Sequence, residues 1–319
     1  MRRSALLLFV LLASAQTDAN AQVESVTVTA AREAAIAKFI ETRAATTRMT
    51  GKLARWKVPV CPVVYGIPAN YAAFITQRIR DVATSAGAPV NTGKDCRGNI
   101  QIVFTTAPQA LLDNIRLKNS NYLGYYDNSR QAEAMTKLSR PVHAFYSTAT
   151  ADLRGNRQSD THKTTGITIE LPGVPSPGQG DSVSSLPSGG QMVTLTMPGA
   201  SAMSVSGTRF LGDGLSSEFQ HVVLVVDTLK VATLEMGSLS GNLALLALSQ
   251  PSDAGICQDL PSIANLLITP ACNAATLTAE LSVYDRAYLS GLYKSQIEGA
   301  GHVQKAQISY EMRQAQQAE

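Results

Sequence analysis

Apolar and polar positions alternate along this chain in two periods. Residues 219–227 (FQHVVLVVD) form the longest nearly continuous apolar run, which predicts a buried, central strand. Residues 100–105 (IQIVFT), 142–150 (VHAFYSTAT) and 166–171 (GITIEL) are strand-like as well, and 121–126 (NYLGYY) more weakly so. A helical period appears at Tyr71, Phe74, Ile75, Ile79 and Val82, which predicts an amphipathic helix over 69–86. Gly87 ends it and Pro89 prevents its resumption. Shorter helical stripes are read at 34–48 (Ile36, Phe39, Ile40), 108–116 (Leu111, Leu112, Ile115) and 234–250, which Pro251 closes. A capping box at Ser282–Asp285 starts another helix, with Val283, Tyr284, Ala287, Tyr288 and Leu292 inward. The fold class expected is α+β: a mixed sheet with packed helices.

The breaks between these elements set the domain organisation. Residues 22–33 are a short strand or a loose N-terminal arm, and 22–50 are read as arm plus helix. Residues 51–295 are read as one domain. Trp56 to Pro62 is extended, because prolines at 59 and 62 forbid helix interior there. The strands at 142–150 and 166–171 are expected to pair as a hairpin with a long polar tip. Of the 36 residues at 172–207, 20 are Gly, Pro or Ser. A strand at Met192–Met197 inside that stretch makes it a surface β-excursion rather than a linker. Residues 296–319 are polar and glutamine-rich, and a frayed surface helix is expected.

The N-terminus has the plan of a secretory signal. Arg2 and Arg3 precede an apolar core at Ala5–Ala13, and Ala19-Asn20-Ala21 suits cleavage after Ala21. The four cysteines all follow it. In an oxidising compartment they are expected as two disulfides, with Cys61–Cys96 and Cys257–Cys272 favoured among three connectivities. A periplasmic or secreted protein follows from both features. The formal charge of +3 shows no basic cluster, so nucleic acid is not an expected partner. No later run is long and apolar enough to span a bilayer.

Chemistry is thin. No cysteine pair or histidine has zinc-ligand spacing, so no metal is expected. Gly212-Asp213-Gly214 lacks the third glycine of a dinucleotide loop, and no Walker lysine exists, so no cofactor is expected either. Gly199–Met203 lacks the closing glycine of a nucleophile elbow. His162 stands near Asp160, and His302 lies in the polar tail. The catalytic candidates left are His143 and His221, both at strand starts, with Glu235.

The succession FQHVVLVVD, GSLSGNLALLALSQ, Ser262-Ile263 and LSVYDRAYLSGLY (281–293) resembles the C-terminal half of zincin-like domains. It looks closest to a family of secreted proteobacterial proteins without an assigned activity. An active zincin carries H-E-x-x-H on that helix, with two histidines on zinc and a glutamate activating water. Gly241–Leu245 (GNLAL) stands there instead. The resemblance thus implies a zincin-like C-terminal half without zinc hydrolysis, in a Gram-negative bacterium. Two functions are carried forward. One is a non-catalytic protein that binds a partner protein or envelope component, with 172–207 as a contact loop. The other is a periplasmic hydrolase built on His143, His221 and Glu235.

Overall fold

The computed structural model describes residues 30–91, 93, 96–161, 167–171, 191–195, 205–207 and 213–317. The signal segment with its cleavage site, the residues 22–29, His162, the Gly199–Met203 stretch, Gly212 and most of 172–207 lie outside the described residues.

Seven strands are described: β1 Pro62–Tyr65, β2 Ile100–Thr105, β3 Val142–Asp152, β4 Arg157–Ser159, β5 Ile167–Leu171, β6 Gln191–Leu195 and β7 Leu215–Asp227. Five make one sheet in the order β1-β2-β7-β3-β4. β1, β2 and β7 are parallel, while β3 runs antiparallel to β7 and β4 antiparallel to β3. The fold is therefore α+β with a mixed sheet. β7 lies at its centre, as its apolar run requires, since a strand covered on both faces has no polar side to show.

Helices cover both faces. On one pack α1 (30–43), α2 (Ala69–Ala86), α6 (Met236–Leu248), α7 (Val283–Lys294) and α8 (Gly301–Gln317), against Val222, Leu224 and Val226 of β7. On the other lie α3 (Pro108–Asn119), a 3₁₀ turn at Ser120–Leu123 and α4 (Ser129–Met135), against Val223 and Val225. A short α5 (Thr228–Val231) leads from β7 toward α6.

Local chemistry explains the element ends. Gly87 adopts φ 84°, and the amides of Gly87 and Ala88 bond back to Thr84 O and Ala83 O, which closes α2. The capping box of α7 forms: Ser282 Oγ accepts from Asp285 N, and Asp285 accepts from Ser282 N. Asp285 also accepts from Ser262 Oγ and Ile263 N, so one buried carboxylate ties α7 to the loop before it. The last turn of α6 is closed by side chains. Trp56 Nε1 donates to Ala247 O, Tyr293 Oη to Leu248 O, and Tyr146 Oη to Leu246 O and Ser249 O.

Several expectations are corrected. β3 does not form its hairpin with 166–171. It turns at Gly155 onto the short β4, and β5 pairs instead with β6 in a separate two-stranded sheet. Residues 120–123 form a 3₁₀ turn where a strand was expected. The strand expected at Met192–Met197 is described over Gln191–Leu195. The first helix spans 30–43 rather than 34–48. The stretch 234–250 yields α6 at Met236–Leu248 only. His221 lies in the middle of β7, six residues past its start. The tail is no frayed surface helix: α8 buries Ile308, Met312 and Gln304 fully against the rest of the core. Two apolar residues one turn apart suffice for this, because Gly291 lets α8 approach α7 closely.

Candidate functional site

β3 has one side on β7 and another that is only partly used. Pro141 O accepts from Asp227 N, so Pro141, His143, Phe145 and Ser147 turn their backbone groups toward β7. Val142, Ala144, Tyr146 and Thr148 turn theirs outward. There Tyr146 bridges to Gly124 and Thr148 O accepts from Asp160 N. Val142 and Ala144 have no backbone partner among the described residues.

This free edge is the floor of a groove of about 660 Å³. Its walls are the loop 46–49 after α1, the segment 250–254 after α6, and Gln131 and Met135 of α4. The charges at its rim are mostly engaged. Arg48 pairs with Asp127 at 2.9 Å and lies over the Tyr125 ring, and Arg140 stands 3.7 Å from Asp253. Asp160 accepts from Thr150 Oγ1 at 2.8 Å and from Thr148 Oγ1, while burial pushes its pKa up.

His143 lines this groove, but its accepting nitrogen is taken. Nε2 receives Ser139 N at 3.1 Å and Arg140 N at 3.2 Å. Burial, with Arg140 and then Lys230 nearby, pulls its pKa down to about 4. A neutral imidazole with its lone pair bound to two amides shapes the turn that presents Arg140; it has no free base to offer.

The other two candidates lie elsewhere. His221 is fully buried beneath Tyr122, with ring centroids 5.6 Å apart, and both ring nitrogens lack a partner. Burial alone lowers its pKa to about 3. Gln101 Oε1, on the same face, is also unpaired. His221 sits opposite Ser147, four residues along β3 from His143, or roughly 13 Å at strand rise. Glu235 is exposed at the start of α6, which packs on the opposite face. The three do not meet at one place. His302 is exposed on α8, and Asp213–Gly214 lead into β7 with Gly214 at φ 63°.

The helix expected from sequence to stand where a zincin carries its metal ligands, α6, has no titratable side chain between Met236 and Leu248. At its centre, Gly241 sits where a Cβ would meet Leu281 at 3.2 Å, and Asn242 Nδ2 donates to Ile263 O. Asn242 Oδ1 is unpaired. Among the described residues, no group of three or more His, Cys, Asp or Glu is placed to hold a metal ion. The cysteines join as Cys61–Cys96 and Cys257–Cys272. The second bridge closes the loop that carries Ala264, Leu267 and Ile268.

Residue-by-residue reading of the chain passed over Ala144, Arg140 and Arg43. One signal was present for Arg43. It continues the apolar stripe Ile36–Phe39–Ile40 at helical spacing, so a charge was due to face the core. Compared with protein-family models, with curated proteins and with solved structures, the chain matches none.

Proposed function

We propose that this chain is an exported, non-catalytic binding protein whose groove takes up an extended polypeptide segment as an added strand on β3. The observation that carries this is the pair of outward backbone positions, Val142 and Ala144, at the floor of the groove. An extended peptide supplies the matching donors and acceptors, and its alternate side chains enter the groove walls. Groove residues in place of a catalytic set also support it: the one histidine among its described residues spends its lone pair on its own turn. Export to the periplasm or the medium is supported by the signal plan at 1–21 and by the two disulfides. No helix of the described residues is long and apolar enough to cross a membrane. The partner is read as a protein of the cell envelope, and the zincin-like half as a scaffold that keeps the layout and has lost the metal site.

The test is Ala144→Pro. Proline removes an amide that points into the groove and none that bonds β7, so the sheet is retained. Peptides selected for binding from a displayed random heptapeptide library are expected to lose about tenfold in affinity on A144P, near the worth of one hydrogen bond. Unchanged affinity, or a library that yields no binder, overturns the reading. So does mass-spectrometric cleavage of a bound peptide, which would make the protein a hydrolase.

A further inference from the structure

Arg43 ends α1 with 2% of its surface exposed. Among the described residues its guanidinium is in no ion pair, and Nε has no hydrogen-bond partner. The other buried cations are fully provided for. Lys52 reaches Asp213, Leu215 O and Glu298 O, and Arg55 reaches three carbonyls at the end of α7. A guanidinium does not shed its proton at any ordinary pH, so Arg43 is a buried charge left without a counter-charge. The carboxylate that bears on it, Asp285, has its oxygens committed to Ser262, Ile263 and Ser282. The nearby hydroxyls of Tyr288 and Tyr146 donate to carbonyls.

Arg43 faces a chamber of about 20 Å³, which it lines together with Arg140, Val142, Asn242 and Leu246. Arg140, Val142, Leu246 and Ala254 line the groove as well, which places the chamber at the groove's inner end. Arg43 and Arg140 thus both line a small hollow just past the free edge of β3. Ala264, Leu267 and Ile268, none of which lines the groove, complete the chamber's lining.

We propose that the chamber is an anion site that takes the terminal carboxylate of the peptide seated on β3. This rests on the reading of the groove as a strand-addition site. The space admits about one oxygen, which suits one arm of a planar carboxylate and not a tetrahedral phosphate. The position suits a chain end, because the edge stops at Val142, which lines the chamber. Two arginines supply the forked donors that a carboxylate matches.

Arg43→Met separates a ligand site from a structural one. Removing an unpaired buried charge leaves nothing orphaned, so the full-length variant is expected to melt no lower than the wild type. Sodium acetate is expected to raise the melting temperature of the wild type above that in sodium chloride of equal ionic strength, and to do nothing for R43M. Amidation of a selected peptide's carboxyl end is expected to weaken binding at least tenfold in the wild type and to change nothing in R43M. The site is overturned if R43M melts far lower, if acetate acts no differently from chloride, or if phosphate stabilises more than acetate. Amidated peptides that bind as well as free ones, while A144P still weakens binding about tenfold, refute the carboxylate site and leave the groove standing. An acetate effect lost in R43M beside peptide affinity indifferent to A144P refutes the groove reading instead.

Discussion

Arg55 and Arg43 are both buried arginines that flank the same helical layer, and their surroundings differ in one respect. Arg55 Nη1 ends α7 by donating to Leu292 O, Tyr293 O and Ser295 O, at 2.8, 3.1 and 2.7 Å. It replaces the next turn of helix for carbonyls that have none. Arg43 is less exposed than Arg55, yet its Nε has no hydrogen-bond partner among the described residues and it lines a chamber. For both groups burial presses the pKa down. In Arg55 that strain is met by geometry within the fold. In Arg43 it is left over, and a group left over in a hollow that joins a groove is where a ligand has the most to gain.

The sharpest way to break this comparison is to make the same substitution at both positions. Arg55→Met takes a donor from three carbonyls, of which only Leu292 O keeps another, from Ser295 Oγ. The expected loss is about 3 kcal/mol, since each unmet buried acceptor costs on the order of 1–3 kcal/mol and the three are not additive. It is read as a fall in the urea midpoint with the slope unchanged. At Arg43 the same change is expected to be neutral or stabilising. Equal losses at the two positions would mean that Arg43 has a structural partner, and the contrast would be gone.

The parts of the molecule that could be read along the chain are those fixed by near neighbours. The capping box of α7 is a four-residue pattern, and it forms as read. The stop of α2 at Gly87 is local too. β7 was legible as central because its own composition excludes a wet face. The cysteine pairing was favoured from which elements each cysteine adjoins, and the fold brings those pairs together. Strand partners were not legible in this way. β3 takes β4, three residues long, because Gly155 at φ 83° turns the chain early, while the more apolar 167–171 segment pairs with β6. The burial of α8 depends on Gly291 in another helix, which no local window contains. The candidate site was the least legible. His143 was singled out for its chemistry and proves to hold a turn. Ala144 matters through its backbone alone, which has no side-chain signature. Arg43 did leave a trace, as a charge on an apolar stripe, but its meaning depends on which carboxylates the fold brings near.

At neutral pH His221 gives a small effect, and it tests whether an unpaired group must mean a ligand. Like Arg43 it is buried with nitrogen left unpartnered among the described residues, but no groove or chamber is described beside it, and unlike Arg43 it can be neutral. Replacing it with leucine removes two unmet nitrogens and keeps the packing under Tyr122. At pH 7.5 a gain of about 1 kcal/mol is expected. The gain must grow in acid. The folded pKa is about 3, far below the unfolded 6.5, so in between only the unfolded chain binds the proton. The wild type therefore holds its full stability above pH 6.5 and loses about 1.4 kcal/mol per pH unit below it, through this group, down toward pH 3. His221→Leu removes that slope, while His143, with its pKa lowered to about 4, keeps one of the same sign that ends near pH 4. Urea titrations of both proteins at pH 7.5 and pH 5 measure the difference directly. A gap that stays constant with pH would mean that the native state already carries a proton on His221. An anionic partner would then sit beneath Tyr122 too, and the distinction drawn between the groove end and the sheet interior would fail.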